Sequence, residues 1–209
     1  MKIIIDSREQ RPFDFLSQNG DIETERGTLD TGDYSVAGLE SRVAVERKSL
    51  ADLVTCLGVE RERFQREMQR AAALEAFCVV VEAPWQALAE GEYRSRLSPA
   101  SAMASVMAFT ARHRVPFLFA GSREKAEAVT ALFLRQYVKG KEHEWKAVQA
   151  AVAERQRAAT GRLCRYCGRP LPMEAISTKL YCCERHRREY QDERRREERA
   201  EVRELREAG

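Results

Sequence analysis

The sequence predicts an α/β fold, a mixed central sheet flanked by helices, with a small cysteine-rich module and charged helices at the carboxyl end. Three observations predict it. Strand-like segments come first and then alternate with helix-like ones to about residue 138, the pattern of a sheet covered by helices. Four of the six cysteines fall within residues 164–183. From Arg187 onward eight arginines face eight acids, and mixed charge without apolar periodicity buries nothing.

In chain order, KIIID reads as a buried strand, and DIETERGTL and DYSVAG as strands separated by the turn DTGD, where Gly32 and the carboxylates supply the turn chemistry. SRVAVERK alternates, with Val43, Val45 and Arg47 on one face and Ala44, Glu46 and Lys48 on the other. A helix is expected at SLADLVTCL and an amphipathic one at ERFQREMQRAAAL, followed by the buried strand AFCVVVEA. SPASAMASVMAFTARHR reads as a helix entered through Pro99, VPFLFA as a strand, and SREKAEAVTALFLRQYV as a helix capped by Ser122. The change of character after Val138 gives four expected segments: a domain at 1–138, a charged connecting helix at 139–161, a cysteine module at 162–190 and a charged helical tail at 191–209.

At 209 residues the chain has room for one ordinary domain of ~100–200 residues and an appendage. Hydrophobic residues make up 44%, enough for a packed core. A net charge of +3 is too small to name a partner, so the clustering of cations matters more than their sum. No apolar run approaches the ~18 residues of a membrane span. The opening MKIIIDSRE lacks the basic and apolar regions of a secretory leader, so a cytoplasmic location is expected. In that reducing compartment crowded cysteines point to metal rather than disulfides.

The acidic residues carry the first functional signal. Asp6, Arg8 and Glu9 follow the first strand, where α/β sheets commonly place ligands. Asp33 enters at the TGDY turn, and Glu46 and Lys48, two apart on a strand, project to the same side. By itself ERKSLAD also fits a solvated strand end, with Ser49 and Asp52 forming a capping box. Taken together, Asp33, Glu46 and Lys48 suit phosphodiester hydrolysis at a hard cation such as Mg²⁺ or Mn²⁺.

Gly32-Asp33, a short gap, then Val45-Glu46-Arg47-Lys48 and Asp52 resemble the GD…ERKxxxD signature of the XPF/Mus-type structure-selective endonucleases. These include the archaeal Hef nuclease and belong to the PD-(D/E)xK superfamily. DSRE at the first strand, RFQREMQRAAAL with FCVVVEA, and HRVPFLFAGSREKAEAVTALF extend the likeness over residues 1–138. The resemblance implies a restriction-endonuclease-like fold and metal-dependent cleavage of branched or structured DNA in repair, recombination or phage DNA processing. It implies Asp33 and Glu46 as metal ligands, with Asp6 contributing directly or through water. Lys48 would position the attacking water, Arg47 and Asp52 would support the site, and Arg8 would meet a phosphate or pair with Glu9. The chain departs from the family in lacking tandem helix-hairpin-helix motifs after this domain. A homodimer through the last helix and packing of that helix on its own sheet both fit the apolar stripe of AVTALFLRQYV.

Cys164-x₂-Cys167, then Cys182, Cys183 and His186, have the spacing of a tetrahedral Zn²⁺ site, with Gly168 suited to the tight turn. The third ligand is Cys182 or Cys183. Short zinc modules ending in YCSxxC place Cys183 at the serine, which selects Cys164, Cys167, Cys182 and His186. So small a module has too little core to fold unaided, making zinc a structural staple. Arg162, Arg165, Arg169, Arg185, Arg187 and Arg188, with Tyr166 and Tyr181 among them, suit DNA phosphates and stacked bases. They equally suit a solvated rim whose charge the following acids offset. Cys56 and Cys78 are expected as buried thiols, and Met103, Met107 and Phe109 as core. Trp85 and Trp145 are expected to pack.

Overall fold

The computed structural model describes residues 1–16, 21–160, 163–171 and 178–207. The chain divides into two units, Met1–Lys141 and Glu142–Gly209. In the first, six strands form one mixed sheet: β1 (Lys2–Asp6), β2 (Glu23–Gly27), β3 (Tyr34–Val36), β4 (Val43–Lys48), β5 (Ala76–Val81) and β6 (Phe117–Phe119), in the order β2-β1-β3-β4-β5-β6. β2 is parallel to β1, β3 runs antiparallel to both β1 and β4, and β4, β5 and β6 are parallel. The turn-linked strands of the first part supply the antiparallel pairs and the helix-connected second part the parallel β4, β5 and β6, because parallel neighbours need crossovers and antiparallel ones only turns.

Helices cover both faces. Ala44, Phe77, Val79 and Val81 face α1 (Leu50–Leu57), α2 (Arg61–Ala71), α3 (Trp85–Glu90) and α4 (Pro99–His113), where Leu53, Phe64, Leu88 and Val106 complete one core. Ile3, Ile5, Tyr34, Val43, Val45, Cys78 and Val80 face the other way, against Phe13, Phe15 and Ala126, Ala131 and Leu134 of α5 (Arg123–Thr160). Alternate residues of β4 and β5 therefore belong to different cores, as strand geometry requires. The apolar stripe of α5 covers its own sheet, leaving Leu132 exposed.

Local signals account for most element ends. Ser49 accepts the Asp52 amide at the start of α1, and Ser98 the Ser101 amide at the start of α4, each satisfying an otherwise orphaned donor. Helix α3 was not expected from the sequence; Pro84 precedes it, Gly91 closes it at φ 74°, and Trp85 meets Phe119 edge-on at 5.0 Å. Met107 is exposed rather than core, because its position on α4 turns away from the Val106–Phe109 face. Trp145 is also exposed, on the part of α5 that belongs to the second unit.

The composition change at Val138 leaves no break: α5 runs through it to Thr160. In the second unit, α6 (Glu184–Glu207) begins inside the cysteine module and continues into the charged tail. Its arginines pair along the helix, as Arg194 with Glu198 at 3.4 Å. Among the described residues no helix is long and apolar enough to cross a membrane.

Near the end of the first unit, Lys141 at 2.7 Å, Arg42 at 2.6 Å and the Tyr137 hydroxyl at 2.9 Å converge on Glu75. These hydrogen bonds lower its pKa to about 2. The folded value lies below the ordinary glutamate value of about 4.3, so the stabilisation is present above that pH and is lost as pH falls towards about 2. Glu75→Gln is expected to flatten the acid-unfolding curve within this window and leave its shape above pH ~5 unchanged, as followed by circular dichroism.

Candidate active site

The carboxyl end of β4 builds a cleft of about 620 Å³. Asp33 is fixed there by two bonds to β4: its amide donates to the Val45 carbonyl at 2.8 Å, and its Oδ2 accepts the Arg47 amide at 2.7 Å. The side chain thus continues the β3–β4 ladder past Tyr34↔Val45. Gly32 makes the approach possible. It sits at φ 85°, and a Cβ there would lie 2.9 Å from that of Ala44, so both backbone and space favour glycine.

Beside Asp33, Glu46 is buried and its Oε1 accepts a hydrogen bond from Lys48 Nζ. Burial, then the neighbouring Asp33 charge, push Glu46 well above the usual carboxylate range. Burial likewise raises Asp33 to about 6, although the Arg47 amide and Lys48 oppose the shift. For Lys48 burial works against the charge, but Glu46 and Glu67 more than offset it and its pKa is raised. Two adjacent carboxylates, destabilised as anions in an open cleft, form a donor set that suits a hard divalent cation. Such an ion takes carboxylate oxygens and retains several waters.

Arg47 points to the opposite face. Its guanidinium meets Glu9 at 3.0 Å and Glu82 at 3.1 Å. Arg123 also reaches Glu82, at 2.7 Å, and donates to the carbonyls of Arg11 and Pro12. Phe13 lies beneath both guanidinium groups, 6.0 Å from Arg47 and 4.9 Å from Arg123. This network ties the segment after β1 to β4, β5 and α5. Burial works against the Arg47 charge, yet Glu9 and Glu82 outweigh it and raise its pKa.

Asp6 also lines the cleft, with both oxygens engaged. Oδ1 accepts from the Arg8 amide at 2.8 Å and Arg8 Nε at 2.7 Å; Oδ2 accepts from Arg8 at 3.0 Å and the Leu29 amide at 2.8 Å. Burial opposes the Asp6 charge, but these donors hold its carboxyl below the usual range. Arg8 accordingly pairs with Asp6 and not with Glu9, which Arg47 occupies. Asp52 also lines the cleft and accepts the Ser49 hydroxyl at 2.7 Å. The sequence reading missed Arg11, Arg63, Glu67 and Arg70 in the wall and Glu82 and Arg123 behind it. The spacing of Glu60, Arg63, Glu67 and Arg70 along one face of α2 is the signal that could have found the first group.

In the second unit the donor atoms of Cys164, Cys167, Cys182 and His186 all lie within 4.8 Å of one another. Cys167 and Cys182 sulfurs are 3.8 Å apart, matching the S···S edge of about 3.8 Å expected when four ligands surround zinc at about 2.3 Å. Gly168, at φ 67°, turns the knuckle, and its amide donates to the Cys164 carbonyl. Burial opposes ionisation of Cys164, but amides of Cys167, Cys182 and Tyr166 lower its pKa to about 6. Burial and neighbouring thiols raise Cys182 to about 12. Cys183 is exposed and outside the set. Arg165 and Arg169 are exposed, while Arg185 and Arg187 lie near Glu189 and Glu184 of their own helix, at 3.8 and 3.7 Å. Arg162 lies outside the described residues.

Arg47→Met would leave the half-buried Glu9 without its cation and Glu82 with Arg123 alone. The expected loss is about 3–5 kcal/mol of unfolding free energy, the usual cost of breaking one side of a buried ion pair, measured by urea titration.

The family model described as ERCC4 domain matches residues 5–133. The solved structure of XPF from Aeropyrum pernix in complex with DNA is similar over 66% of this chain and 66% of that one, with 22% identity and a TM-score of 0.53. A second structure of XPF from Aeropyrum pernix gives 20% identity and a TM-score of 0.54, over 66% of this chain and 61% of that one. At these identities the likeness establishes the fold, and the chain spans about two thirds or less of those chains' length. No curated protein matches the sequence. The match to the family model covers more than half of the 209 residues, and the chain belongs to the ERCC4 domain family.

Proposed function

We propose that this chain is a metal-dependent DNA endonuclease that hydrolyses phosphodiester bonds in its β4 cleft, with branched or otherwise structured DNA as its substrate. The observation that carries the reading is that Asp33, Glu46 and Lys48 line one open, arginine-rimmed cleft. Membership in the ERCC4 domain family and the fold shared with XPF support it.

Asp33 and Glu46 would hold Mg²⁺ or Mn²⁺, an ion that would supply Lewis-acid polarisation of the phosphoryl group and acidify water near neutral pH. Lys48 donates a hydrogen bond that orients the attacking water or offsets charge on the phosphoryl oxygens. Arg8, mostly exposed and anchored through Asp6, offers its remaining donors to a DNA phosphate. Asp6 stiffens the strand end through Arg8 and Leu29, and Asp52 holds the start of α1.

The cysteine module holds Zn²⁺ through Cys164, Cys167, Cys182 and His186, and Arg165 and Arg169 supply phosphate contacts. Metal analysis is expected to return one zinc per chain. Cys164→Ser and His186→Ala are expected to lose it, and Cys183→Ser to keep it; zinc retained in the first two would remove the ligand assignment.

The activity test is cleavage of labelled single-stranded, duplex, flap, fork and four-way-junction DNA with Mg²⁺, Mn²⁺ or EDTA. Cutting is expected only with the divalent ion and to fall at least ~10²-fold in Asp33→Ala and Glu46→Ala. DNA binding without cleavage on every substrate and ion would instead make the chain a DNA-binding scaffold that retains a nuclease fold.

A further inference from the structure

Lys48 shares the cleft with two carboxylates that act on its charge. Glu46, two residues earlier on β4, holds its ammonium. The other is Glu67 on α2, whose charge is the next attraction on Lys48 after that of Glu46. Phe64 is fully buried one turn before Glu67, with its ring centroid 6.0 Å from Lys48 Nζ, so this part of α2 lies over the lysine. Glu67 lines the cleft with Glu60, Arg63 and Arg70 of the same helical face and is half-buried. Arg63 is paired to Glu60 at 2.7 Å, and Glu67 has no salt bridge with a described residue.

A Glu46 oxygen that binds a divalent cation is no longer a good acceptor for an ammonium, because both positive charges compete for it. Lys48 has only 12% of its side chain exposed, so water is a poor replacement partner. An ammonium left there uncompensated would repel the incoming ion. Among the described residues, Glu67 is the carboxylate acting on Lys48 that forms no salt bridge and is not itself one of the two proposed metal ligands.

We propose that Glu67 is the alternate counter-ion of Lys48, receiving its ammonium when a divalent cation takes Glu46. The inference rests on the proposed function of the cleft as a metal-dependent nuclease centre. Glu67 is then a positioning residue: it touches neither ion nor DNA, releases Glu46 for the ion, and sets where the Lys48 ammonium sits during hydrolysis. Its effect must pass through Lys48.

The test is a double-mutant cycle on Mn²⁺ binding to the zinc-loaded full chain, measured by calorimetry, with Asp33→Ala as the blank. Glu67→Gln keeps the shape of the side chain and is expected to weaken Mn²⁺ binding about tenfold with Lys48 present, and less than about twofold in the Lys48→Met background. In cleavage assays the same variant is expected to raise the Mg²⁺ concentration for half-maximal rate and leave the KM for DNA unchanged. An equal loss in both backgrounds would mean that Glu67 acts on the ion directly, and no loss in either would mean that Lys48 needs no second partner; each overturns the proposal. If the wild-type chain binds no Mn²⁺ above the blank, the nuclease reading fails and takes this inference with it.

Discussion

The Asp33 side chain, accepting the Arg47 amide, is the constraint on which the cleft depends. A carboxylate at the end of a turn would ordinarily move with that turn. Here its backbone donates to Val45 and its oxygen takes over the next rung of the ladder, so Asp33 is held as rigidly as a strand residue. The price is a half-buried charge whose desolvation a backbone amide only partly offsets. Gly32 is the covalent requirement for this arrangement, since any side chain would meet Ala44 on the sheet.

The second constraint is alternation along β4. Adjacent residues of a strand point to opposite faces, so Glu46-Arg47-Lys48 is split between two environments. Glu46 and Lys48 share the face of β4 near Phe64 of α2, while the Arg47 guanidinium lies against Phe13 and is clamped by Glu9 and Glu82. Cleft side chains and ion-pair clamp are thereby supplied by neighbouring residues. Loss of the clamp would loosen the segment after β1, because Glu9 and the carbonyls held by Arg123 lie in it.

Much of this was legible in the sequence. The alternation of SRVAVERK fixed which of its side chains share a face, and the capping pattern at Ser49 marked where α1 begins. The cysteine spacing picked out Cys164, Cys167, Cys182 and His186, which the fold brings together, and Cys183 lies outside that cluster. Other parts were not legible, for physical reasons. The commitment of Asp6 to Arg8 and Leu29 depends on a contact with a residue 23 positions away. Glu82 and Arg123 join the network only because β5 and α5 pack beside β4. Met107 and Trp145 carry apolar side chains on helices, but periodicity does not say which of them a core will cover.

The central claim is that Asp33 and Glu46 form one cation site in the cleft. It is tested most directly by anomalous diffraction from crystals of the full chain soaked in Mn²⁺. The account predicts a manganese peak in contact with one oxygen of Asp33 and one of Glu46, with the Lys48 ammonium displaced from Glu46. A peak confined to the cysteine module, or none at saturating Mn²⁺ with Lys48 still bonded to Glu46, would contradict it.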